Sequence, residues 1–167
     1  MRQDELRALQ APLKDRYRAE PDAARLTLRA EGSLDAGITC SVRTGGAVAQ
    51  AGLHPLTGGD GTALCSGDML LEALVACAGV TLRSVATALD VPVAGGTVRA
   101  EGELDFRGTL AVDREAPVGF SEIRLSFALD TEAEGAQLGK LLKLTERYCV
   151  VFQTLRRPPL LSVRASA

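Results

Sequence analysis

Residues 68–89 read DMLLEALVACAGVTLRSVATAL, and this stretch decides the fold. Its apolar side chains recur every three or four positions and fill one broad face, which is typical of a helix. Asp68 or Ser66 can cap the start of this helix, and Pro92 ends the pattern. The sequence therefore predicts a long central helix, buried around nearly its whole circumference, with Cys77 at a centre made narrow by small residues.

Shorter segments on both sides of this helix alternate polar and apolar residues with a period of two, which indicates half-exposed strands. The first two predicted strands form a hairpin whose turn lies at residues 32–37, and Cys40 falls on the apolar face of the second. The predicted strands cover residues 25–31, 38–43, 47–53, 97–107, 122–130 and 160–165, with Gly102 as a candidate bulge.

Two further helices are predicted. Residues 3–18 have helix formers, but Pro12 should break that helix. Thr131 to Glu134 fits a capping box and opens a helix with Cys149 at its far end. The order of elements predicts an α+β fold in which an antiparallel sheet packs on a buried central helix.

Composition excludes several classes of protein. The chain has 167 residues, enough for one domain with a real core. With 19 Lys and Arg against 21 Asp and Glu, 4% aromatic residues and no Trp, neither a polyanion-binding surface nor a base-stacking platform is indicated. The start is charged and no run approaches the roughly 18 apolar residues of a spanning helix, so a cytoplasmic protein without membrane or nucleic-acid partners is expected.

Cys77 and Cys149 are the strongest candidates for chemistry. Each is a single soft nucleophile within an apolar periodic segment. A thiolate oxidised by peroxide gives a sulfenic acid, which condenses with a second thiol to form a disulfide that a reductant reopens. The alternative for each is inert packing, because free cysteine is often simply a small buried hydrophobe.

Three further residues need separate interpretations. Cys40, on the hairpin, is expected to be structural. Cys65 precedes the central helix, where free backbone N–H groups favour a thiolate. It would lie about 18 Å from Cys77 if the residues between them were helical, too far for a disulfide within one chain. His54, in the glycine-rich segment 44–67, is either a thiolate-stabilising group or an ordinary loop residue.

Three stretches together resemble the OsmC/Ohr family, the osmotically inducible and organic hydroperoxide resistance proteins. They are HPLTGGDG at 54–61, CSGDMLLEALVACAG at 65–79 and TERYCVV at 145–151. The resemblance covers about residues 25–165. It implies residues 25–167 as an OsmC-like domain, with residues 1–24 as an N-terminal helical extension.

The resemblance implies an intertwined homodimer with an OsmC-like fold and two sites at the interface. Each site would use Cys77 as the peroxidatic thiol and Cys149 as the resolving thiol. The implied activity is reduction of organic or hydrogen peroxides, with a dithiol such as a lipoyl group as reductant. Neither a metal nor an organic cofactor is implied.

One position departs from the family pattern. Characterised hydroperoxide reductases of the family have a glutamate ten residues before the peroxidatic cysteine, paired with an arginine, but Gly67 stands there in this chain. Asp68 and Glu72 point in other directions on a helix and are not simple substitutes. The remaining candidates are His54, Asp60, Asp68 and Cys65 as auxiliary groups, and Arg29, Arg43 or Arg147 as the arginine.

Two other functions stay open at this stage. A binding or redox-sensing protein on the same scaffold would hold an apolar ligand and have slow thiols, as the missing glutamate suggests. A metal site from Cys65, Cys77, Cys149 and His54 is the least favoured, because no two of these ligands have the short spacing of zinc sites.

Overall fold

The computed structural model describes residues 2–19, 32–34, 39–44 and 47–165. In these ranges the chain alternates short strands with helices, which confirms the mixed α+β class. The elements are α1 (Gln3–Ala19), β1 (Gly32–Leu34), β2 (Thr39–Thr44), β3 (Ala47–Gly52), a 3-10 helix (Pro55–Thr57), β4 (Leu64–Cys65), α2 (Ser66–Leu89), β5 (Gly95–Glu103), α3 (Phe106–Thr109), β6 (Glu122–Asp130), α4 (Gly135–Tyr148) and α5 (Val150–Arg156).

The strands form two sheets rather than one. The first has the order β1-β2-β3-β4, and the second pairs β5 with β6. β1, β2 and β3 are antiparallel, but β3 and β4 run parallel, with Ala51 opposite Leu64. The expectation of a purely antiparallel sheet is therefore wrong at β4, because the connection through the 3-10 helix returns the chain in its original direction.

The chain forms two compact units. The first comprises Met1–Arg7, Ala73–Val98 and Phe127–Ala167, and the second comprises Ala8–Glu72 and Arg99–Ser126. The predicted boundary between residues 24 and 25 lies outside the described residues. The first unit contains a hydrophobic core of buried side chains from α2, α4 and the segments that flank them, namely Leu82, Val85, Ala86, Val91, Ala133 and Leu141.

Helix α2 ends as a Schellman motif. Asp90 adopts a left-handed conformation at φ 55°. The amide of Val91 donates to the carbonyl of Ala86, and the amide of Asp90 donates to that of Thr87. The predicted helix is thus confirmed, with a start at Ser66 rather than Asp68.

The prediction that α2 is buried on nearly all sides is wrong for a single chain. Its buried residues are Leu74, Ala78, Leu82, Val85 and Ala86, which share one face. Val80, on another side, is 72% exposed. One chain of this size supplies packing partners for one face of a long apolar helix only.

Helix α2 is long and apolar enough to cross a membrane by length and composition, with a mean hydropathy of 1.6 over its best window. The expectation that no segment approaches this property is therefore wrong. The property is weak evidence for a membrane, because the core helix of a soluble protein has the same composition. Only 28% of that window is buried in the single chain.

Proline and glycine signals near the N-terminus were misleading. Helix α1 continues through Pro12 instead of breaking there. A proline in a helix removes only one donor, so the other hydrogen bonds can carry the helix onward. The predicted hairpin is present, but Gly32 to Leu34 belong to β1 and pair with β2, so the turn is shorter than predicted. The strand predicted at 25–31 lies outside the described residues.

Strand β5 ends at Glu103, so the prediction that it continues to residue 107 is wrong. The Asp105 carboxylate accepts the amide of Arg107 and starts α3 there, because Asp is a strong N-cap residue. Gly102 serves a packing role: a Cβ at this position would lie 2.5 Å from the ring of Phe120. The glycine thus leaves room for the aromatic ring against the strand.

Two predictions about the C-terminal third are also wrong. Thr131 does not form a capping box, because α4 begins at Gly135 and its N-cap residue Glu134 makes no side-chain bond. The Thr131 hydroxyl instead donates to the carbonyl of Pro92 and accepts the amide of Ala133. Residues 160–165 pair with no strand in the described part of the chain and form none themselves.

Candidate functional site

Cys77 lies in the middle of α2, in the first unit, and is half-buried. The next residue, Ala78, is fully buried in the core, which fixes the rotation of the helix and turns the Cys77 side chain towards the edge of that core. Thr81 lies one turn further along the same helix face, and its hydroxyl contributes to lowering the pKa of Cys77.

Cys149 lies at the corner between α4 and α5. Its extended backbone, at φ −72° and ψ 109°, ends one helix and begins the next. Its amide donates to the carbonyl of Thr145, and its own carbonyl accepts the amide of Gln153 as the first hydrogen bond of α5. The Gln153 side chain braces the corner by donating to the carbonyl of Glu146. Cys149 is fully buried, at 0% exposure.

The first amides of α5 lie near both sulfur atoms and influence their pKa values. The first backbone N–H groups of any helix have no partner within the helix. Here the amides of Val150 and Val151 lower the pKa of Cys77. The amides of Phe152 and Val151 act in the same direction on the pKa of Cys149. The structure thus brings the two predicted cysteines together around the start of one short helix.

The surroundings shift the pKa values of the two thiols in opposite directions. Burial on its own would raise the pKa of Cys77. Four nearby groups outweigh burial and lower that pKa: the amide of Val151, the Cys149 thiol, the amide of Val150 and the Thr81 hydroxyl. Burial is the main cause that raises the pKa of Cys149, and the adjacent Cys77 thiolate raises it further. The pair therefore shares a single proton over a range of pH, with Cys77 as thiolate and Cys149 as donor.

Most of the other predicted groups lie in the second unit. His54 accepts the amide of Leu56 at Nδ1, 3.1 Å away, and its ring stacks on Phe106 with centroids 5.0 Å apart. Asp60 accepts hydrogen bonds from both the amide and the hydroxyl of Thr62, which lower its pKa. Both residues thus have local structural partners in their loop.

Asp68 lies in the exposed first turn of α2, and Cys65 ends β4 just before it. Gly67, between them, faces an apolar environment: a Cβ there would lie 3.5 Å from the Cys65 sulfur and 3.5 Å from the ring of Phe120. In the first unit, the guanidinium of Arg147 packs 5.7 Å from the centre of the Tyr148 ring.

Arg29 lies outside the described residues, and the side chains of Arg43 and Cys40 are outside them too. Among the described residues, no group of three or more His, Cys, Asp and Glu side chains is arranged to hold a metal ion.

Sequence reasoning missed the groups that act on the Cys77 sulfur. Thr81 could have been found, because it stands four residues after Cys77 on one helix face. The amides of Val150 and Val151 carry no side-chain signal, and their role depends on a second helix that begins directly after Cys149.

A family model of OsmC-like proteins matches residues 59–164 of the chain. No curated protein is significantly similar to it in sequence. An OsmC-like protein from Mycoplasma pneumoniae has a similar structure, with a TM-score of 0.67 and 14% identity over 80% of this chain and 89% of that one.

Two organic hydroperoxide resistance proteins also have similar structures. That of Legionella pneumophila has a TM-score of 0.63 and 16% identity over 80% of this chain and 92% of its own. That of Elizabethkingia anophelis has a TM-score of 0.59 and 13% identity over 81% of this chain and 91% of its own. At these identities the similarity concerns the fold.

Proposed function

Because the chain belongs to the OsmC-like protein family, we propose that it is a thiol-dependent peroxidase that reduces organic or hydrogen peroxides through Cys77 and Cys149. The observation that carries the proposal is that Cys77 and Cys149 are close enough to affect each other's pKa values, which are shifted in opposite directions. The lowered pKa makes Cys77 the nucleophile of the first step, and the raised pKa keeps Cys149 protonated until the second step. The similar structures of two organic hydroperoxide resistance proteins support the same reaction.

In the first step, the Cys77 thiolate attacks the terminal oxygen of the hydroperoxide. A sulfur–oxygen bond forms, the oxygen–oxygen bond breaks, and the departing alkoxide takes up a proton to become an alcohol. Cys77 is oxidised to a sulfenic acid. Cys77 suits this role because it is only half-buried, and the exposed apolar side chains of Val80 and Val150 near it favour an organic peroxide.

In the second step, Cys149 attacks the sulfur of the sulfenic acid, and hydroxide leaves as water with the Cys149 proton. Burial and charge explain why Cys149 reacts only after Cys77 has been oxidised. Burial keeps Cys149 protonated, and so does the negative charge on Cys77. Oxidation to a neutral sulfenic acid removes that charge, so the pKa of Cys149 falls once there is an electrophile for it to attack.

The alternative, a slow redox sensor or ligand-binding protein on the same scaffold, is favoured by Gly67. The position of the family's glutamate is apolar here, with Phe120, Leu104 and Cys65 around it. If the protein is a peroxidase, the amides that lower the pKa of Cys77 take the place of the missing glutamate. The rate of thiol oxidation therefore separates the two functions.

We also propose that the active form is a homodimer that acts in the cytoplasm. Val80 on α2 and the apolar residues Leu160, Leu161 and Val163 after α5 are largely or fully exposed in the single chain. Apolar surface of this extent is usually covered by a partner. Sedimentation at micromolar concentration should give the mass of two chains, and a stable monomer would contradict the assembly.

The function is tested by adding cumene hydroperoxide to the fully reduced protein and counting free thiols with time. We expect the loss of two of the four thiols per chain within seconds, and retention of all thiols in Cys77→Ser. The disulfide should be found by mass spectrometry between Cys77 and Cys149. Thiol loss that is equally slow in the wild type and in Cys77→Ser would support the sensor or binding alternative.

A further inference from the structure

Thr81 has a hydroxyl group that its own helix does not use. Threonines inside helices commonly donate to the carbonyl four residues before them. Thr87 in α2 and Thr145 in α4 do so, at 2.8 Å and 2.9 Å. In the part of the chain that the structure describes, Thr81 makes no such bond to the carbonyl of Cys77. Its single hydroxyl hydrogen is therefore available to another acceptor.

Thr81 and Cys77 lie at the same edge of α2. They are four residues apart, so their side chains point about 40° apart around the helix axis, one turn from each other. Both residues are half-buried, at the boundary between the buried Ala78 and Leu82 and solvent. The hydroxyl therefore lies on the side from which a small molecule reaches the sulfur. Its effect on the pKa of Cys77 is consistent with this position.

The negative charge leaves the sulfur during the attack on a hydroperoxide. As the sulfur–oxygen bond forms and the oxygen–oxygen bond breaks, this charge moves to the departing oxygen. A donor that stayed on the sulfur would stabilise the thiolate more than the transition state and would slow the attack. A backbone amide has a direction fixed by its helix, but a hydroxyl rotates about its carbon–oxygen bond, so its hydrogen can follow the charge.

We propose that the Thr81 hydroxyl donates a hydrogen bond to the departing peroxide oxygen while Cys77 attacks, and so acts as a catalytic residue. This inference rests on the proposed function for the oxidation of Cys77 by a peroxide, and it adds the group that stabilises the transition state. Thr81 keeps its proton throughout. The terminal oxygen and its hydrogen pass to the sulfur, which becomes a sulfenic acid, and the alkoxide takes its proton from water to become an alcohol.

The test compares two reactions of the same thiolate in the full chain. Stopped-flow kinetics give the oxidation of Cys77 by cumene hydroperoxide, and mass spectrometry gives the alkylation of Cys77 by iodoacetamide. Both rates scale with the thiolate fraction, so their ratio is independent of a change in the pKa of Cys77. Iodide leaves without a hydrogen bond, whereas an alkoxide is a poor leaving group.

Thr81→Val keeps the shape of the side chain and removes the hydroxyl. We expect it to lower the ratio of oxidation to alkylation about tenfold, the effect of one hydrogen bond to a charged oxygen at a half-exposed site. Thr81→Ala removes the same hydroxyl and should give the same result, so the test does not depend on the folding of one variant. Thr81→Ser keeps the hydroxyl and should retain most of the ratio.

Thr87→Val is the matched control, because it removes a hydroxyl from the same helix that is already bonded to the carbonyl of Arg83. It should leave the ratio unchanged. Peracetic acid releases acetate, a far weaker base than an alkoxide, so Thr81→Val should slow its reaction less than that of cumene hydroperoxide. An unchanged ratio in Thr81→Val, an equal fall in Thr81→Ser or Thr87→Val, or equal slowing with both peroxides would overturn the inference.

The outcomes separate this inference from the proposed function. If peroxide oxidises Cys77 but no disulfide to Cys149 forms, the peroxidase cycle fails, and the ratio still decides the role of Thr81. If the disulfide forms and Thr81→Val keeps the ratio, the peroxidase stands and the inference fails. If peroxide does not oxidise Cys77, both fail.

Discussion

Replacing Val150 by proline should remove one of the amides that stabilise the Cys77 thiolate while leaving α5 in place. Val150 is the first residue of α5, where proline is favoured because that N–H has no partner within the helix. Cys149 before it is already extended, at φ −72° and ψ 109°, as a residue preceding proline must be. The Val150 side chain is mostly exposed, so little packing is lost.

The magnitude follows from a hydrogen bond to a charged acceptor. Such a bond contributes about 1.5–3 kcal/mol, and the lower end applies because Cys77 is half-buried and keeps the amide of Val151. A loss of about 1.4 kcal/mol raises the pKa of Cys77 and reduces its thiolate roughly tenfold at any pH below that pKa. A more basic thiolate is about threefold more nucleophilic, so oxidation near neutral pH should slow about three- to fourfold.

The assay is a titration of the ultraviolet absorbance of the Cys77 thiolate, together with stopped-flow oxidation by cumene hydroperoxide. Val150→Ala is the matched control, because it removes the same side chain and keeps the amide. Circular dichroism should show equal helix content in both variants. If the two variants titrate alike, the amide does not stabilise the thiolate and the assignment of α5 to the site is wrong.

Further outcomes are expected from the same site and from the fold. The oxidation rate should rise with pH and level off below pH 9.0, the ordinary pKa of a thiol, because only the thiolate reacts and the pKa of Cys77 is lowered. A rate that still rises at pH 9.0 would contradict the lowered pKa. The Cys149→Ser variant should accumulate the sulfenic acid of Cys77, which dimedone labels once per chain. If this variant still forms as much disulfide as the wild type, Cys149 is not the resolving thiol. Gly102→Ala should lower the free energy of unfolding by about 1–3 kcal/mol through overpacking against Phe120. Gly119→Ala, which meets nothing within 4 Å, is its control in urea denaturation, and equal stabilities would refute the packing role.

Patterns that concern neighbours along the chain could be read from the sequence. The three- and four-residue period of α2 located that helix to within two residues of its start, and the alternation over 122–130 gave the bounds of β6. These signals work because a helix or a half-buried strand presents its own periodic face to the core. The choice of Cys77 and Cys149 rested on the same patterns and on the resemblance, and in the structure each of the two thiols affects the pKa of the other.

Signals that depend on a distant partner failed. Residues 160–165 alternate like a strand, but a strand needs a paired neighbour, and in the described chain these residues pair with no other strand. Phe106 continues the alternation of β5, yet the Asp105 side chain caps α3 there. Thr131 has the spacing of a capping box, but its hydroxyl finds a better acceptor in the carbonyl of Pro92, almost forty residues away in the chain.

The sequence by itself determined most of the elements and the α+β class, and it selected the two cysteines proposed to react, because periodicity and residue type are properties of a local segment. Only the tertiary structure decided how Cys77 is activated. The groups that lower its pKa include the backbone amides of Val150 and Val151, and any residue other than proline could supply them. These amides affect Cys77 because the chain turns at Cys149 and brings the start of α5 near a sulfur on another helix. Residue types along the sequence do not reveal such an arrangement of backbone groups.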